Sequence, residues 1–439
     1  MPDLTRTTSP GRTHTSGGDK QLRRRVLSAA SVGQLIEWYD FALYGYAVPT
    51  IAHLFFPESS SAAALLSSLA IYGVAFVMRP LGGIVFGRLG DRLGRQVVLA
   101  AVLGLAGVST AAIGVLPTYA SIGVFAPLLL LVCRLLQGFS AGGEAIGASS
   151  FAVEHAPGNR RATWVNLVTA MSVVPPLVAT VFVGTLSANL TPGAYESWGW
   201  RIPFLVALPL ALVGLFIRLK TEESPVFKQA RETGQLSKQP LREALRSNRA
   251  ALGYVFCFAA LAALAFYLIV GYLVTYLTVT VGLTKAQAMW TNAAALVVLS
   301  VLLPVGGRIS DRVGRRPMLV TGSALLAVVG YLIFVLASGG GLVAALAAQL
   351  LLVLGISVFG GAAYTVYIEM FPTATRFTGA AMAYNLAYAL FGGTAPFFGA
   401  WLVAETGSAR APGVYLTVVA LAVLAVAFRV PETSKRRLD

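Results

Sequence analysis

Long apolar stretches alternate with short polar segments along the whole chain. Twelve of these stretches come close to the roughly 20 apolar residues that a helix needs to cross a bilayer. The pattern therefore predicts an all-α membrane protein with twelve transmembrane helices. The predicted helices cover residues 26–53, 62–87, 97–116, 123–153, 162–187, 202–217, 251–279, 286–307, 317–337, 341–368, 377–404 and 411–429.

Composition and charge support a membrane location. Of the 439 residues, 56% are hydrophobic and 12% are charged, which is about half the charged share of an ordinary soluble domain. A net charge of +15 is also typical of nucleic-acid-binding proteins, but here the basic residues form short clusters between apolar stretches instead of one stripe. If the amino terminus is inside, only three of the 33 Lys and Arg residues fall in outer loops: Arg201, Lys285 and Arg410. We therefore expect a multi-pass cell-membrane protein that contacts lipid and no nucleic acid, with both termini cytoplasmic.

The sequence carries no motif typical of an enzyme or a cofactor site. Cys133 and Cys257 both lie inside apolar stretches, where they suit packing better than a disulfide or a metal site. No H-E-x-x-H, P-loop or G-x-S-x-G motif occurs, and the histidines are scattered. The first apolar stretch is too long for a signal peptide and contains Glu37 and Asp40. We expect a protein that is not an enzyme and needs neither a metal nor another cofactor.

Three short motifs occur twice, in the same order, in the two halves of the chain. G-R-L-G-D-R-L-G-R-Q begins at Gly87, and G-R-I-S-D-R-V-G-R-R begins at Gly307, 220 residues later. E-x-x-P-x-x-x-R begins at Glu154 and again at Glu369, 215 residues later. A third pair, E-S-P and P-E-T, follows the sixth and twelfth predicted helices. The repetition indicates a duplicated unit of six helices.

The duplication divides the chain into five expected segments. These are a disordered cytoplasmic tail at 1–20, an N-terminal six-helix bundle at 21–218, a cytoplasmic linker at 219–250, a C-terminal six-helix bundle at 251–430 and a short cytoplasmic tail at 431–439.

The repeated motifs are candidates for a conformational gate. Glycine permits a tight reversal, and Asp and Arg can pair with charges or helix ends across a loop. A basic turn that only sets the topology is the alternative, although orientation alone requires no fixed Gly or Asp. The candidate gate residues are Gly87, Asp91, Arg92, Gly94, Arg95, Glu154, Arg161, Asp311, Arg312, Arg315, Glu369 and Arg376.

At these motifs the chain resembles the major facilitator superfamily, whose loop signature recurs after the second and eighth helices. The first half further resembles the metabolite:proton symporter family, through E-W-Y-D-F from Glu37, R-P-L-G-G from Arg79, R-L-L-Q-G from Arg134, G-G-E from Gly142 and W-G-W-R-I-P from Trp198. The resemblance implies the major facilitator fold, with two six-helix bundles around a cavity lined mainly by helices 1, 4, 7 and 10. It also implies proton-coupled alternating access, as in transporters of proline and betaine, α-ketoglutarate, citrate and shikimate.

Five ionisable residues lie within the predicted helices, where charge is costly and therefore points to function. Glu37, Asp40 and Glu144 are the proton-coupling candidates, and the first two share one helix face. Arg79 and Arg134 can hold a substrate carboxylate with their planar guanidinium groups. For each of the five, an internal structural ion pair is the alternative.

The second half has no comparable charge within its predicted helices, so Tyr and Asn side chains would supply its polar contacts to a ligand. Packing, or a position at the membrane interface, is the alternative for each Tyr. The substrate-binding candidates of both halves are Arg79, Arg134, Gln137, Tyr44, Tyr276, Tyr364 and Asn385.

Together these features favour a secondary active transporter that couples the uptake of a small carboxylate or zwitterionic metabolite to protons. Facilitated uniport and proton antiport are the alternatives within the superfamily, and a transporter-like sensor is the alternative outside transport. We expect the protein to act as a monomer, with the proton as its coupling ion.

Overall fold

The computed structural model describes residues 38–93, 95–142, 153, 156, 159–219 and 248–436, and its regular structure over these residues is entirely helical. Helices lie at all twelve predicted positions. The first half contains α1 (38–55), α2 (Ser61–Leu93), α3 (Arg95–Val115), α4 (Phe125–Ala141), α5 (Arg161–Met171 and Val174–Asn189) and α6 (Ile202–Leu219). The second half contains α7 (Arg249–Tyr267 and Leu273–Val279), α8 (Lys285–Val313), α9 (Arg315–Ser338), α10 (Leu342–Glu369), α11 (Thr373–Ala387 and Ala395–Thr406) and α12 (Ala411–Ala427).

The described helices are suited to a bilayer. Eight are long and apolar enough to cross a membrane, and three more are apolar but shorter. Large apolar side chains such as Val77, Val328 and Val343 are exposed on the outside of the bundle. An exposed apolar surface of this extent indicates contact with lipid. Helices are stable there because they satisfy their own backbone hydrogen bonds.

The turn between α8 and α9 is shorter than the repeated motif suggested. The helix continues through the motif to Val313 instead of ending near residue 307, because its polar residues extend it beyond the apolar part that hydropathy detects. The reversal takes place at Gly314, which has a φ of +109°. A Cβ at this position would lie 2.7 Å from Oε2 of Glu432, so conformation and space both favour glycine.

Glycines bring α2 and α4 into close contact. A Cβ added to Gly138 would lie 1.8 Å from the carbonyl oxygen of Ala75, and one added to Gly82 would lie 1.8 Å from that of Phe139. The two backbones therefore touch, as is common where small residues line a membrane helix pair. This contact fixes the level of the α4 side chains relative to those of α2.

The helices α7 and α11 each contain one π-helical turn, at Leu268–Tyr272 and Tyr388–Gly392. Such turns interrupt the regular hydrogen-bond ladder and often accompany functional sites. At the first turn, a Cβ added to Gly45 of α1 would lie 3.0 Å from Cα of Gly271. The irregular part of α7 is therefore also a point where the two halves meet.

Candidate functional site

A buried polar cluster lies where α1, α3 and α4 meet. The carboxylate of Asp40 accepts hydrogen bonds from Gln137 Nε2 at 2.5 Å and from Arg134 Nη1 at 3.5 Å. The same Arg134 nitrogen donates to Gln137 Oε1 at 2.8 Å, and Gln137 Nε2 also donates to the Thr110 hydroxyl at 3.0 Å. The structure therefore brings three predicted site residues together, with the Gln137 amide between the acid and the guanidinium.

Aromatic rings surround the guanidinium of Arg134. Its Cζ atom lies 4.3 Å from the ring centroid of Tyr44, 5.2 Å from that of Phe41 and 5.4 Å from that of Tyr72. Its Nη2 donates to the Tyr72 carbonyl oxygen at 3.3 Å. Arg134 is fully buried, so cation–π contacts and hydrogen bonds replace the water that it has lost.

Arg79 of α2 belongs to the same region. It is buried, and its Cζ lies 5.5 Å from the ring centroids of both Phe41 and Phe76. The guanidinium groups of Arg79 and Arg134 thus both contact the ring of Phe41. Sequence spacing placed these two arginines in different helices, and the fold gathers them beside α1.

Two tyrosine candidates make contacts within their own halves. The Tyr44 hydroxyl donates to the Ser68 carbonyl oxygen at 3.3 Å. The Tyr276 hydroxyl donates to the Ala409 carbonyl oxygen at 2.8 Å, and its ring packs against Phe334 at 5.1 Å. In this structure Tyr276 therefore packs inside the second half.

Tyr364 belongs to a tyrosine cluster on α10 and α11, and Asn385 follows Tyr384 of this cluster in the chain. The ring centroids of the cluster follow one another at 5.8 Å from Tyr364 to Tyr367, 6.2 Å from Tyr367 to Tyr384 and 3.9 Å from Tyr384 to Tyr388. Within the described part of the chain, the Tyr367 hydroxyl and Oδ1 of Asn385 are buried without a hydrogen-bond partner. Such oxygens are costly to bury, so they are suited to bind a polar ligand.

An aromatic bridge connects this tyrosine cluster to the first half. Tyr267 of α7 lies 6.0 Å from Tyr388, 5.1 Å from Phe76 and 6.2 Å from Trp38, measured between ring centroids. Phe76 in turn lies 4.7 Å from Phe41, the ring that both arginines contact. Sequence reasoning did not select Trp38, Phe76 or Tyr388, although Trp38 lies within the quoted E-W-Y-D-F motif. Hydropathy does not distinguish an aromatic residue at a site from one in the core.

The second copy of the G-x-x-x-D-R motif contacts the opposite half. Asp311 accepts hydrogen bonds from the backbone N–H groups of Ala162 at 3.0 Å and Thr163 at 2.9 Å, in the first turn of α5. A carboxylate at a helix amino terminus satisfies free N–H groups and is favoured by the helix dipole. Asp311 also accepts from Arg315 Nη1 at 2.9 Å.

Glu369 is the second acid of this group of charged residues, and we call Asp311, Arg315, Glu369 and Arg161 the gate network. Glu369 accepts hydrogen bonds from Arg315 Nε at 3.3 Å and Nη2 at 3.2 Å, and from the Thr433 hydroxyl at 2.6 Å. Arg161 of the first half lies 3.7 Å away, measured from its Nη1 to Glu369 Oε1. Arg315 and Glu369 are both buried, so the pair is held by charge-assisted bonds in a place of low water access.

Glu432 connects the carboxyl-terminal segment to the gate network. Its carboxylate accepts from the backbone N–H groups of Arg315 at 2.9 Å and Arg316 at 3.0 Å, which caps α9. Burial raises the pKa of Glu432, but hydrogen bonds from the amides of Arg315, Ser434 and Arg316 outweigh it and hold the pKa below its ordinary value of 4.5.

The remaining gate candidates have varied positions. Arg312 is exposed at the end of α8, and Arg376 is buried with its Nε donating to the Phe371 carbonyl oxygen at 3.4 Å. Gly87 lies within α2. The other residues predicted from the sequence lie outside the described residues or side chains, and their roles stay predictions: Glu37, Asp91, Arg92, Gly94, Arg95, Glu144 and Glu154.

Comparison with known proteins identifies the family. Residues 26–246 match the family model described as "Sugar (and other) transporter", and residues 255–439 match the "Major Facilitator Superfamily" model. The proline/betaine transporter of Escherichia coli strain K12 is 33% identical over 427 residues, which cover 94% of this chain and 85% of that protein. The inner membrane metabolite transport protein YhjE of the same strain is 38% identical over 407 residues, which cover 91% of this chain and 92% of that protein.

A solved structure shares the fold. The partially occluded inward-open conformation of the xylose transporter XylE from E. coli matches with a TM-score of 0.73 at 18% identity, covering 94% of this chain and 99% of that one. The resemblance inferred from the repeated motifs is confirmed by both family models and both relatives. Such relatives act in the membrane on small molecules, and in bacteria their place is the cell membrane. The chain therefore belongs to the major facilitator superfamily, as a multi-pass membrane transporter and not an enzyme.

Proposed function

We propose that this transporter is a proton-coupled symporter, which takes up a small carboxylate or zwitterionic metabolite by alternating access. The observation that carries the proposal is the position of Gln137, whose amide is hydrogen-bonded to both Asp40 and Arg134. Acid, amide and guanidinium are all buried. A change of charge on Asp40 therefore acts directly on the surroundings of Arg134.

Proton binding at Asp40 would favour substrate binding at Arg134. The ionised carboxylate compensates the buried guanidinium, at a distance of 3.5 Å between Oδ2 and Nη1. After protonation that compensation is lost, and a substrate carboxylate would restore it through the planar fork of Arg134. Proton and substrate would then bind better together than alone, which is the thermodynamic requirement for symport. Antiport requires the opposite sign of coupling.

The aromatic bridge supports a zwitterion as the substrate. A carboxylate held by Arg134 would leave the positive end of a zwitterion to face the π-electron clouds of Tyr267 and Tyr388 across the interface of the halves. The E. coli relative is named for proline and betaine, which are both zwitterions. A dicarboxylate would suit the arginines but would gain nothing from these rings.

An uptake panel in proteoliposomes tests the proposal. We expect radiolabelled proline or glycine betaine to accumulate under an imposed pH gradient, ahead of α-ketoglutarate and shikimate, and a protonophore to abolish the accumulation. Asp40→Asn should lose accumulation and retain exchange of substrate across the membrane. Glu58→Gln, at an exposed carboxylate after α1, is the control. Substrate that only equilibrates across the membrane, at a rate unchanged by the pH gradient, the protonophore and Asp40→Asn, would favour the uniporter alternative, and proton release driven by substrate entry would favour the antiporter.

We further propose that the protein acts as a monomer with both termini in the cytoplasm, so that the gate network faces the cytoplasm. The basic residues of the inner segments support this orientation. Thiol labelling of a cysteine added at the carboxyl terminus, with and without membrane permeabilisation, tests it. Solute accumulation in the same vesicles also excludes a protein that acts only as a sensor.

A further inference from the structure

A second buried polar cluster centres on Asn292 of α8. We call Asn292, Gln349, Tyr46 and Thr180 the hub. Asn292 Nδ2 donates to the Ile269 carbonyl oxygen and to Gln349 Oε1, both at 2.9 Å. Its Oδ1 accepts from the Tyr46 hydroxyl at 3.0 Å and, more weakly, from the Thr180 hydroxyl at 3.4 Å, whose one proton is shared with the Pro176 carbonyl oxygen at 2.7 Å. All the hydrogen-bonding capacity of this amide is thus used, and Asn292 is fully buried.

The hub joins the two halves of the transporter. Tyr46 lies on α1 and Thr180 on α5, whereas Asn292 and Gln349 belong to the second half. Asn292 therefore accepts both of its hydrogen bonds from the first half and donates both of its own within the second. Separation of the halves at this level must leave Oδ1 of Asn292 without these two donors.

The same amide supports the π-helical turn of α7. Ile269 belongs to that turn, where the carbonyl groups depart from the regular helical ladder, and Asn292 supplies a donor for one of them. The turn contacts the first half at Gly271, which packs closely against Gly45 of α1. The Thr275 hydroxyl, just beyond the turn, donates to the Gly45 carbonyl oxygen at 3.4 Å. One side chain thus connects the shape of α7 with the contact between α1 and α7.

The hub lies on the side of the molecule opposite the gate network. Asn292 follows Lys285, the first residue of α8, by about 10 Å along the helix, whereas Asp311 lies near the other end. Lys285 Nζ donates to the Thr50 hydroxyl at 3.1 Å, which marks the outer edge of the same contact. Apart from Lys285, the contacts named on this side are made by neutral amide and hydroxyl groups, whereas those of the gate network are made by charged groups.

We infer that Asn292 is a positioning residue that keeps the outer side closed, by accepting hydrogen bonds from Tyr46 and Thr180 while it holds the π-helical turn of α7. Its loss shifts the transporter toward the outward-open state. None of the four hydrogen bonds of Asn292 goes to Asp40, Gln137 or Arg134, so the inference does not depend on proton coupling or on the substrate. It rests only on the proposed orientation, with both termini in the cytoplasm.

Thiol labelling from outside tests the inference. In a background with Cys133→Ala and Cys257→Ala, Thr50→Cys places a single thiol at a position that is buried in the closed state. A membrane-impermeant maleimide then reports opening of the outer side. Tyr46→Phe removes only a hydroxyl, and we expect it to raise the labelling rate about threefold to fivefold, as for the loss of one buried hydrogen bond. Thr180→Val should raise the rate by less, because the Thr180 proton is shared with the Pro176 carbonyl oxygen, and Thr180→Ser, which retains the hydroxyl, should label at close to the background rate.

Tyr39→Phe is the matched control. Tyr39 lies on the same helix as Tyr46 and is equally buried, but its hydroxyl donates to the Pro203 carbonyl oxygen at 2.9 Å, inside the first half. We expect its labelling rate to equal that of the background. Equal rates for Tyr46→Phe and Tyr39→Phe, measured without substrate at one pH, would overturn the inference. Asn292→Ala should give the largest increase, and the two hydroxyl variants decide the matter if that protein does not fold.

Discussion

Gln137 lies closer to Arg134 than Asp40 does. Arg134 Nη1 is 2.8 Å from the amide oxygen of Gln137 and 3.5 Å from the carboxylate of Asp40. The amide therefore shares the guanidinium with the acid and prevents a tight two-residue ion pair. A loose pair is easier to open than a bidentate one, which suits a site that must exchange a partner during each transport cycle.

The first prediction concerns Gln137. Gln137→Leu keeps a similar volume but removes the hydrogen bonds to Asp40, Arg134 and Thr110. We expect initial uptake to fall by about tenfold or more, because two buried charged groups each lose a partner. Thr110→Val, which removes one hydroxyl from the same cluster, should have a smaller effect. Uptake by Gln137→Leu at the wild-type rate would show that transport does not need the Gln137 amide between Asp40 and Arg134.

The second prediction separates substrate contact from ion pairing at Arg134. Arg134→Lys retains the charge and loses the planar fork, so the affinity for a carboxylate substrate should fall by about tenfold or more. The affinity for the methyl ester of the same substrate should fall much less. Competition of each compound with labelled substrate measures both affinities. An equal loss for acid and ester would instead assign Arg134 to a structural ion pair.

The third prediction concerns the gate. Asp311→Asn weakens the cap that Asp311 places on α5, and we expect the transport rate to fall by about tenfold while substrate affinity changes by less than about twofold. Rates of exchange and equilibrium binding on the same preparation measure the two quantities. Arg308→Gln, at an exposed position of the same helix, is the control. Selective loss of binding would contradict a gating role.

The fourth prediction concerns packing of α2 against α4. Gly138→Ala forces a Cβ against the Ala75 carbonyl oxygen, and we expect a loss of about 1–3 kcal/mol in stability, seen as a lower melting temperature in detergent. Gly104→Ala, where an added Cβ has no heavy atom within 4 Å, is the matched control. It should be neutral or slightly stabilising, because alanine is the better helix former. Equal melting temperatures for the two variants would show that the backbones can separate at little cost.

The fifth prediction concerns pH. The pKa of Glu432 is lower in the folded protein than its ordinary value of 4.5, so its contribution to stability is present above that value and is lost as the pH falls through the lowered pKa. The wild-type melting temperature should therefore decrease more between pH 7 and pH 4 than that of Glu432→Gln, which already lacks the charged cap. Parallel curves would show that the cap does not depend on ionisation.

Some features of this protein follow from the sequence alone. A bilayer demands long apolar helices, so hydropathy located the helices, although α2 and α8 each extend six residues beyond their predicted ends. Charge inside an apolar stretch is costly, which is why Asp40, Arg79 and Arg134 were recognisable without a structure. The doubled motifs predict two related halves, and they carried the resemblance to the major facilitator superfamily that the family models confirm.

Partner choice was decided only by the tertiary structure. Nothing in the spacing of Asp311 and Ala162 indicates that one caps the helix of the other, because the two residues are 149 positions apart and belong to different halves. Asn292 drew no attention in the sequence, since a single amide in an apolar helix can be satisfied by many neighbours. Its role became visible once the fold placed Tyr46, Thr180 and the π-helical turn around it. Hydropathy depends on each residue's own solvation, whereas a hydrogen-bond network depends on which helices pack together.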